Sequence, residues 1–323
     1  MSRHHFTRRL CGIAVKFAVL GSGFGLYGYV PALISGCNQE VYLPARYRVR
    51  LRERVDVRPF EDVIQWRADE AAILQEVDAV VISRRPQDQE QLIHRHLGAP
   101  NLRAFVLEKP LGTTPGSALE VLDTLEAAGK SYRIAYVFRY LPWAVLLKQT
   151  LEKREAPGSI RIVWRFRAHH YAHALQNWKR SVSDGGGALR FFGIQLIGLL
   201  AEIGYRNVTG ARCTSSRRDE CETWSAGFGG QGLPHCRVDV ETNATTKRFS
   251  IEIDESPAGS VRIVDLEEPF QQCAQIGGLD RRVAALSELC HELIDGRDTG
   301  YGWYRGSLAL WDQCERHLGR ENG

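Results

Sequence analysis

The segment Lys16-Phe-Ala-Val-Leu20-Gly21-Ser-Gly-Phe-Gly25 joins a short apolar run to three closely spaced glycines, and it decides the fold. Residues 17–20 predict a buried strand, and residues 26–35 predict the helix that follows it. In such a strand–turn–helix the first glycine makes the sharp turn, and the second lets a pyrophosphate approach the backbone. Backbone N–H groups and the helix dipole then hold the anion. The segment predicts an N-terminal dinucleotide-binding domain; the alternative is a tight strand–helix turn without a ligand.

The composition is that of an ordinary globular protein, and 323 residues are enough for two domains. Apolar residues make up 44% and charged residues 25%, and the formal net charge is +4. Because the basic residues are spread along the chain and no reading motif occurs, we expect no nucleic-acid partner. No stretch approaches the roughly 20 apolar residues that span a bilayer, so we expect no membrane partner either.

The N terminus and the cysteines bear on the cellular compartment. Arg8-Arg9 before an apolar run could be an export signal. Cleavage after that run would delete the first strand, so we interpret residues 1–12 as a flexible basic arm. The eight scattered cysteines show no Cys-x-x-Cys spacing, and we expect them to be reduced and partly buried. These features favour a cytoplasmic protein.

Strand-like and helix-like stretches alternate through the first part of the chain, which predicts a doubly wound parallel sheet. Further strands are predicted there at 40–43, 78–83, 104–107 and 133–137, with helices at 87–97 and 114–128. The expected Rossmann domain covers residues 1–138.

The second part of the chain, residues 139–323, predicts an α+β domain with a large, open, mainly antiparallel sheet. Its strands are predicted at 159–167, 211–215, 222–227, 236–242, 247–253 and 259–265, with helices at 143–154 and 189–203. Two more helices are predicted between 280 and 317, separated by Gly300 and Gly302. We expect this domain to bind substrate and to mediate oligomerisation.

The end of the second strand bears on the choice of cofactor. An Asp or Glu normally stands there and accepts hydrogen bonds from the adenosine ribose. This chain has Arg46 and Arg48 instead, whose guanidinium groups could hold a 2′-phosphate or could be solvated surface groups. The expected cofactor is NAD(P), with a preference for NADP.

Several segments together resemble the Gfo/Idh/MocA family, the glucose–fructose oxidoreductase and inositol dehydrogenase group. Besides the glycine turn they are Pro31-Ala-Leu33, Asp78-Ala-Val-Val-Ile-Ser83, Glu108-Lys109-Pro110-Leu111, Tyr136-Val-Phe-Arg139-Tyr-Leu-Pro142, Trp178-Lys179 and Gly185-Gly-Gly187-Ala-Leu189. The tetrad at 108–111 is the most specific of them. The resemblance implies a nicotinamide cofactor in the cleft between two domains and a sugar, cyclitol or nucleotide-sugar substrate. It also implies a homo-oligomer formed through the open sheet.

The glycine turn and the resemblance together indicate candidate site residues, without a metal site. Cofactor-binding residues are expected at Gly21, Ser22, Gly23, Phe24, Gly25, Arg46, Ser83, Arg84, Glu108, Lys109, Arg139, Trp178 and Lys179. Lys109, Gln195 and Tyr136 are expected to take part in catalysis, and Lys109, His169, Tyr171 and Gln195 to contact substrate. Lys109 suits proton relay if burial or a neighbouring cation lowers its pKa from about 10.4. A structural lysine paired with Glu108 is the alternative.

The helix after the glycine triplet departs from the family. Where the family has Asp, His and Asp on one helix face, this chain has Phe191, Gln195 and Gly198. Histidine is the usual acid–base group, whereas a glutamine amide cannot accept a proton at useful pH. Either Lys109 serves alone, with Tyr136 or Tyr171 nearby, or the cluster at 169–173 supplies another base, or the chemistry is lost.

We therefore expect an NAD(P)-dependent oxidoreductase of carbohydrate metabolism that acts on a hydroxyl or carbonyl group of a sugar or nucleotide-sugar. Lys109 would be its main polar catalytic group, and Gln195 would position the substrate. The alternative is a catalytically silent family member that binds dinucleotide or sugar and acts as a sensor or partner protein. A third possibility is a redox-assisted lyase or glycosidase, in which tightly held NAD is reduced and reoxidised within one cycle.

Overall fold

The computed structural model of the chain describes residues 15–152, 158–254, 259–296 and 302–321. The predicted arm at 1–12, the predicted helix end at Arg154, and Gly300 lie outside these ranges. Within them the chain forms two six-stranded sheets, one from the first part of the chain and one from the second.

The first sheet is parallel throughout, with the strand order β3-β2-β1-β4-β5-β6. Its strands are β1 (Lys16–Leu20), β2 (Glu40–Pro44), β3 (Gln65–Arg67), β4 (Ala79–Ile82), β5 (Ala104–Leu107) and β6 (Ser131–Ile134). Central strands such as β4 and β5 are apolar and buried along their whole length, as a sheet covered on both faces requires. The order reverses between β1 and β4, where a doubly wound sheet leaves a crevice at its carboxyl ends. The predicted Rossmann sheet is confirmed.

The helices of this part are α1 (Arg48–Arg52), α2 (Glu70–Glu76), α3 (Pro86–His96) and α4 (Pro115–Ala127). After β1 the chain forms wider i→i+5 helical turns at Gly25–Tyr29 and Ala32–Gly36. The sequence did not predict β3 and α2, because both are short. The last strand ends earlier than predicted, since the chain leaves the sheet at Ala135 and enters a 3-10 turn at Val137–Tyr140.

The second sheet has the order β12-β11-β7-β10-β9-β8, and all its pairs are antiparallel except β7 with β10. Its strands are β7 (Ser159–Arg167), β8 (Asn207–Thr214), β9 (Thr223–Gly230), β10 (Leu233–Glu241), β11 (Asn243–Asp254) and β12 (Ser260–Leu266). The helices described between residues 142 and 203 are α5 (Pro142–Glu152), α6 (His169–Ala172) and α7 (Ile194–Ile203), and a wider helical segment at Ala188–Gly193 leads into α7. The mainly antiparallel sheet is confirmed.

The last two helices contact both parts of the chain. Helix α8 (Val283–Ile294) packs against β6 and the helical turns that follow β1, and α9 (Gly302–Glu321) packs against α4, α7 and β8. The division at residue 138 stays a prediction, because these helices connect the two sheets instead of covering one of them.

The expectation that the cysteines are reduced is wrong for one pair. Cys213, in β8, and Cys221, just before β9, form a disulfide. The antiparallel pairing of β8 with β9 brings their Cα atoms to 5.7 Å, although eight positions separate them in sequence. Across the part of the chain that the structure describes, no helix has both the length and the apolar character needed to cross a bilayer.

Candidate active site

A cleft of about 600 Å³ lies at the carboxyl ends of the first sheet's strands, with its other wall formed by the second part of the chain. The first wall consists of Gly21, Ser22, Gly23, Phe24, Tyr27, Arg46, Tyr47, Ser83, Arg84, Arg85, Asp88, Glu108, Lys109, Ala135 and Val137. The second consists of Phe138, the last residue of the first part, together with Trp164, Trp178, Lys179, Phe191, Phe192, Gln195, Phe270, Arg282 and Leu286. Most of the residues predicted to bind cofactor are thus brought together.

Two glycines of the turn after β1 are needed for different reasons. A Cβ atom at Gly21 would lie 2.2 Å from the carbonyl oxygen of Ser83, and the φ angle there is +155°. Gly21 therefore permits the close approach of two loops. A Cβ atom at Gly23 would meet nothing within 4 Å, and this residue faces the cleft. The turn thus leaves room for a pyrophosphate against an exposed backbone, which is the fit that a dinucleotide requires. Gly25 begins the helical turn beneath it.

One end of the cleft carries two arginines around a shared carboxylate. Arg46 and Arg84 both pair with Glu70, and Arg84 also donates to the Tyr47 hydroxyl group (3.0 Å). Arg48 lies elsewhere: it stacks over Trp66 and pairs with Glu61. The structure therefore brings Arg46, but not Arg48, to the cleft. Glu70 was missed because it begins a helix that the sequence did not predict.

Lys109 lies where the two walls meet. Its amine donates to the carbonyl oxygen of Phe191 (2.6 Å) and lies 3.8 Å from the centre of the Phe191 ring. Burial lowers the pKa of Lys109 to about 7; Glu108 opposes this shift, while Lys179 and Arg282 add to it. The peptide bond between Lys109 and Pro110 is cis. Lys109 can therefore exchange a proton near neutral pH.

Glu108 has a partner other than its neighbour. Its carboxylate accepts a hydrogen bond from the Tyr29 hydroxyl group (2.7 Å), and its backbone N–H donates to the side chain of Gln89 (2.9 Å). These contacts anchor the tetrad to the helix after β1 and to α3.

The glycine triplet supports the loop that carries Trp178 and Lys179. The N–H of Gly187 donates to the carbonyl oxygen of Lys179 (2.9 Å). A Cβ atom at Gly186 would lie 2.3 Å from the carbonyl oxygen of Trp178. Side chains at the triplet would push this loop away. The second-domain motifs are therefore one packing unit that holds Trp178 and Lys179 against the cleft.

Gln195 faces the cleft with an oriented amide group. Its Nε2 donates to the carbonyl oxygen of Ala135 (2.8 Å), which assigns Oε1 to the other side. The side chain is 6% exposed, and among the described residues Oε1 has no hydrogen-bond partner. A buried acceptor of this kind requires a donor, and the cleft is where a ligand would supply it.

Tyr136 and Arg139 lie outside the cleft. The Tyr136 ring packs against Gly198, where the family has an Asp, and its hydroxyl group accepts from Ser307 (3.3 Å). Burial raises the pKa of Tyr136 to about 12. Arg139 pairs with Glu202 (2.7 Å) and Glu292 (3.0 Å). Both residues were expected in the site on resemblance, and the structure places them in the packing behind it.

The histidine cluster also lies off the cleft. His169 is exposed and stacks on His173 at 4.3 Å, while Tyr171 donates to Glu220 (3.3 Å). Helix α6 turns His170 inward instead, where burial lowers its pKa to about 4. Over the described ranges, no group of three His, Cys, Asp or Glu side chains could hold a metal ion.

Sequence reasoning missed most of the second wall. Phe138, Trp164, Phe192 and Phe270 come from four separate elements, and only the fold brings them together. Phe191, at a position where the family has Asp, was the one available signal.

Comparison with known proteins supports a dinucleotide-binding fold in the first part of the chain. Residues 15–136 match the Gfo/Idh/MocA model, described as an oxidoreductase family with an NAD-binding Rossmann fold. No protein of curated function matches the sequence.

Solved structures share the fold over almost the whole chain. The WlbA dehydrogenase of Bordetella pertussis, in complex with NADH and UDP-GlcNAcA, is 16% identical with a TM-score of 0.74, covering 96% of this chain and 98% of its own. A myo-inositol dehydrogenase of Corynebacterium glutamicum is 14% identical with a TM-score of 0.70, covering 96% and 98%. The super-repressor mutant of Gal80p from Saccharomyces cerevisiae is 11% identical with a TM-score of 0.71, covering 94% and 95%. Residues 15–136 of this chain are therefore similar to the NAD-binding Rossmann fold of the Gfo/Idh/MocA oxidoreductase family, and the whole chain shares the fold of the solved structures.

Proposed function

We propose that this chain is an NAD(P)-dependent oxidoreductase that acts on a hydroxyl or carbonyl group of a sugar or nucleotide-sugar. The observation that carries the proposal is the position of Lys109, whose amine lies in the same cleft as the glycine turn with its pKa lowered to about 7. The likeness to the WlbA dehydrogenase, solved with NADH and UDP-GlcNAcA, supports the substrate class.

The residues of the cleft have separate tasks in this reaction. Bound nicotinamide supplies hydride exchange with the substrate carbon. Lys109, when neutral, accepts the hydroxyl proton at Nζ during oxidation and returns it to the carbonyl oxygen during reduction. The Phe191 carbonyl keeps Nζ in place, and Gln195 orients the substrate by accepting a hydrogen bond at Oε1.

The remaining cleft residues would hold the dinucleotide. The glycine turn would receive the pyrophosphate, and Ser83, Trp178 and Lys179 would line the path toward the substrate. Arg46 and Arg84 would take the adenosine end, where two guanidinium groups face one carboxylate, Glu70. This excess of positive charge supports a preference for NADP, whose 2′-phosphate would compete with Glu70.

We assign cofactor binding to residues 1–138 and substrate binding and homo-oligomerisation to residues 139–323. The open face of the second sheet carries cross-strand ion pairs such as Arg161 with Asp239 (3.0 Å). Light scattering on the purified chain tests the oligomer.

Two measurements test the function. Mass spectrometry of the purified protein identifies any cofactor that accompanies it. A panel of sugars and nucleotide-sugars is then screened for a change in nicotinamide absorbance. We expect turnover of at least one member of the panel. Binding of cofactor without turnover of any member would contradict the proposed oxidoreductase activity.

The second candidate is a catalytically silent member that binds dinucleotide or sugar as a sensor or partner protein. The Gln195 amide cannot take a proton, and Lys109 already donates to a backbone carbonyl. The likeness to a super-repressor mutant of Gal80p supports it. Gln195→His separates the two: an active enzyme becomes slower or stays unchanged, whereas activity that appears only in the variant identifies a silent wild type.

A further inference from the structure

Six aromatic rings form a continuous belt along the second wall of the cleft. From one end to the other they are Phe270, Phe138, Trp164, Phe192, Phe191 and Trp178. Neighbouring ring centres are 4.8 to 5.8 Å apart along this series. Rings at these separations contact each other directly. Phe138 and Trp164 are buried, so the apolar surface that a ligand meets comes mainly from the partly exposed rings of Phe270, Phe192, Phe191 and Trp178.

The polar groups of the same wall are few. Among its described residues they are Lys179, Gln195, Arg282 and the indole N–H groups of Trp164 and Trp178, which only donate. Arg282 is held by the carboxylate of Asp280 (2.7 and 2.8 Å). Lysine and arginine donate only, so Gln195 Oε1 is the one side-chain carboxamide or carboxylate acceptor on this wall.

The backbone carbonyl groups next to Lys109 add little free acceptor capacity to this wall. The carbonyl oxygen of Ala135 accepts from Gln195, and that of Phe191 accepts from Lys109. Each of these two carbonyl oxygens next to the proposed base therefore already accepts one side-chain hydrogen bond.

A fully hydroxylated ring brings a donor on almost every carbon, and each buried hydroxyl group without an acceptor weakens binding. A ring with few hydroxyl groups has C–H faces that pack on aromatic rings without that penalty.

We propose that the ring on which this enzyme acts is a deoxygenated sugar or cyclitol ring, whose apolar faces pack on the aromatic belt and which donates one hydrogen bond to Gln195. This inference rests on the proposed function and narrows its substrate class.

The test is calorimetric binding to the protein saturated with NADP. The probes are trans-1,2-cyclohexanediol and myo-inositol, which share one carbocycle and differ in the number of hydroxyl groups. We expect Kd for the diol to be at least about ten-fold lower. Equal affinity, tighter binding of myo-inositol, or no binding of the diol up to its solubility limit would overturn the inference. These outcomes concern binding alone, whereas the proposed oxidoreductase fails on absent turnover.

Variants of the belt give a second test. Phe192→Asn adds an acceptor to the belt and should shift the ratio of the two Kd values toward myo-inositol by about ten-fold. Phe166→Asn is the matched control, because Phe166 packs against Phe192 at 4.9 Å but does not line the cleft. If Phe192→Asn does not fold, Phe192→Tyr keeps the ring, adds a hydroxyl group and should shift the ratio in the same direction. An unchanged ratio in a folded variant would contradict the belt's role.

Discussion

The side-chain nitrogen of Lys109 lies 2.6 Å from the carbonyl oxygen of Phe191 and 3.8 Å from the centre of its ring. This contact joins the tetrad after β5 to the helical segment after the glycine triplet. An Asp at position 191, as in the family, would stabilise the ammonium form of Lys109 by its negative charge. An apolar ring at this position adds no charge, so burial remains the main influence on the pKa of Lys109. The replacement of Asp by Phe191 therefore favours a neutral Lys109, which can accept a proton. In the proposed reaction, this change one helical turn before position 195 would compensate for the missing histidine, because Lys109 itself would accept the proton.

The pH dependence follows from the lowered pKa of Lys109. Oxidation needs the neutral amine, so kcat/KM for oxidation should rise as pH increases through about 7 and then level off. Reduction needs the ammonium form, so its kcat/KM should fall over the same interval. Initial rates in both directions from pH 5 to 10 measure this, and a controlling pKa near the ordinary lysine value would contradict it.

Phe191→Asp should shift the rise of kcat/KM for oxidation to higher pH. The added carboxylate beside Nζ favours the ammonium form, and we expect a shift of at least about one pH unit. Phe191→Leu is the matched control, since it keeps the site apolar and should leave this rise near its original pH. If kcat/KM for oxidation rises at the same pH in the two variants, position 191 does not set the proton affinity of Lys109.

Two alanine substitutions in the glycine turn should differ in kind. Gly21→Ala places a Cβ atom against the Ser83 backbone and should lower the free energy of unfolding by about 1–3 kcal/mol. Gly23→Ala meets no protein atom within 4 Å, so stability should change little while dinucleotide affinity falls. Thermal unfolding and cofactor titration measure the two effects. A Gly23→Ala variant that binds cofactor as well as the wild type would exclude pyrophosphate at this turn.

Arg46→Ala should weaken NADP binding by about ten-fold and leave NAD binding nearly unchanged, because the guanidinium group would contact only the 2′-phosphate. Arg48→Ala is the control, since Arg48 stacks on Trp66 away from the cleft. Fluorescence titration with both dinucleotides gives the four affinities. An equal loss for NAD and NADP would remove the basis for the NADP preference.

Much of the fold could be predicted because its signals are local. The β-branched run at 79–82 and the glycine turn after β1 specify buried strands and a tight loop without reference to distant residues. The short elements β3 and α2 escaped prediction because three to seven residues carry too little periodicity.

The site was harder to predict because it depends on distant contacts. Lys109 and Gln195 could be selected from motifs, and both line the cleft. Tyr136 stands in an equally good motif, yet Gly198 leaves space for its ring and draws it into the packing. The rings of the aromatic belt come from separate strands, helices and loops, and no local sequence pattern predicts that they converge.

The most direct test of the account compares wild type with Lys109→Met in nicotinamide reduction by a substrate found in the panel. We predict that kcat falls by about 10²- to 10⁴-fold, while the Kd for the dinucleotide changes less than about two-fold, since the glycine turn is untouched. A Lys109→Met variant that reduces nicotinamide at the wild-type rate would contradict the assignment of Lys109 as the proton-transferring group.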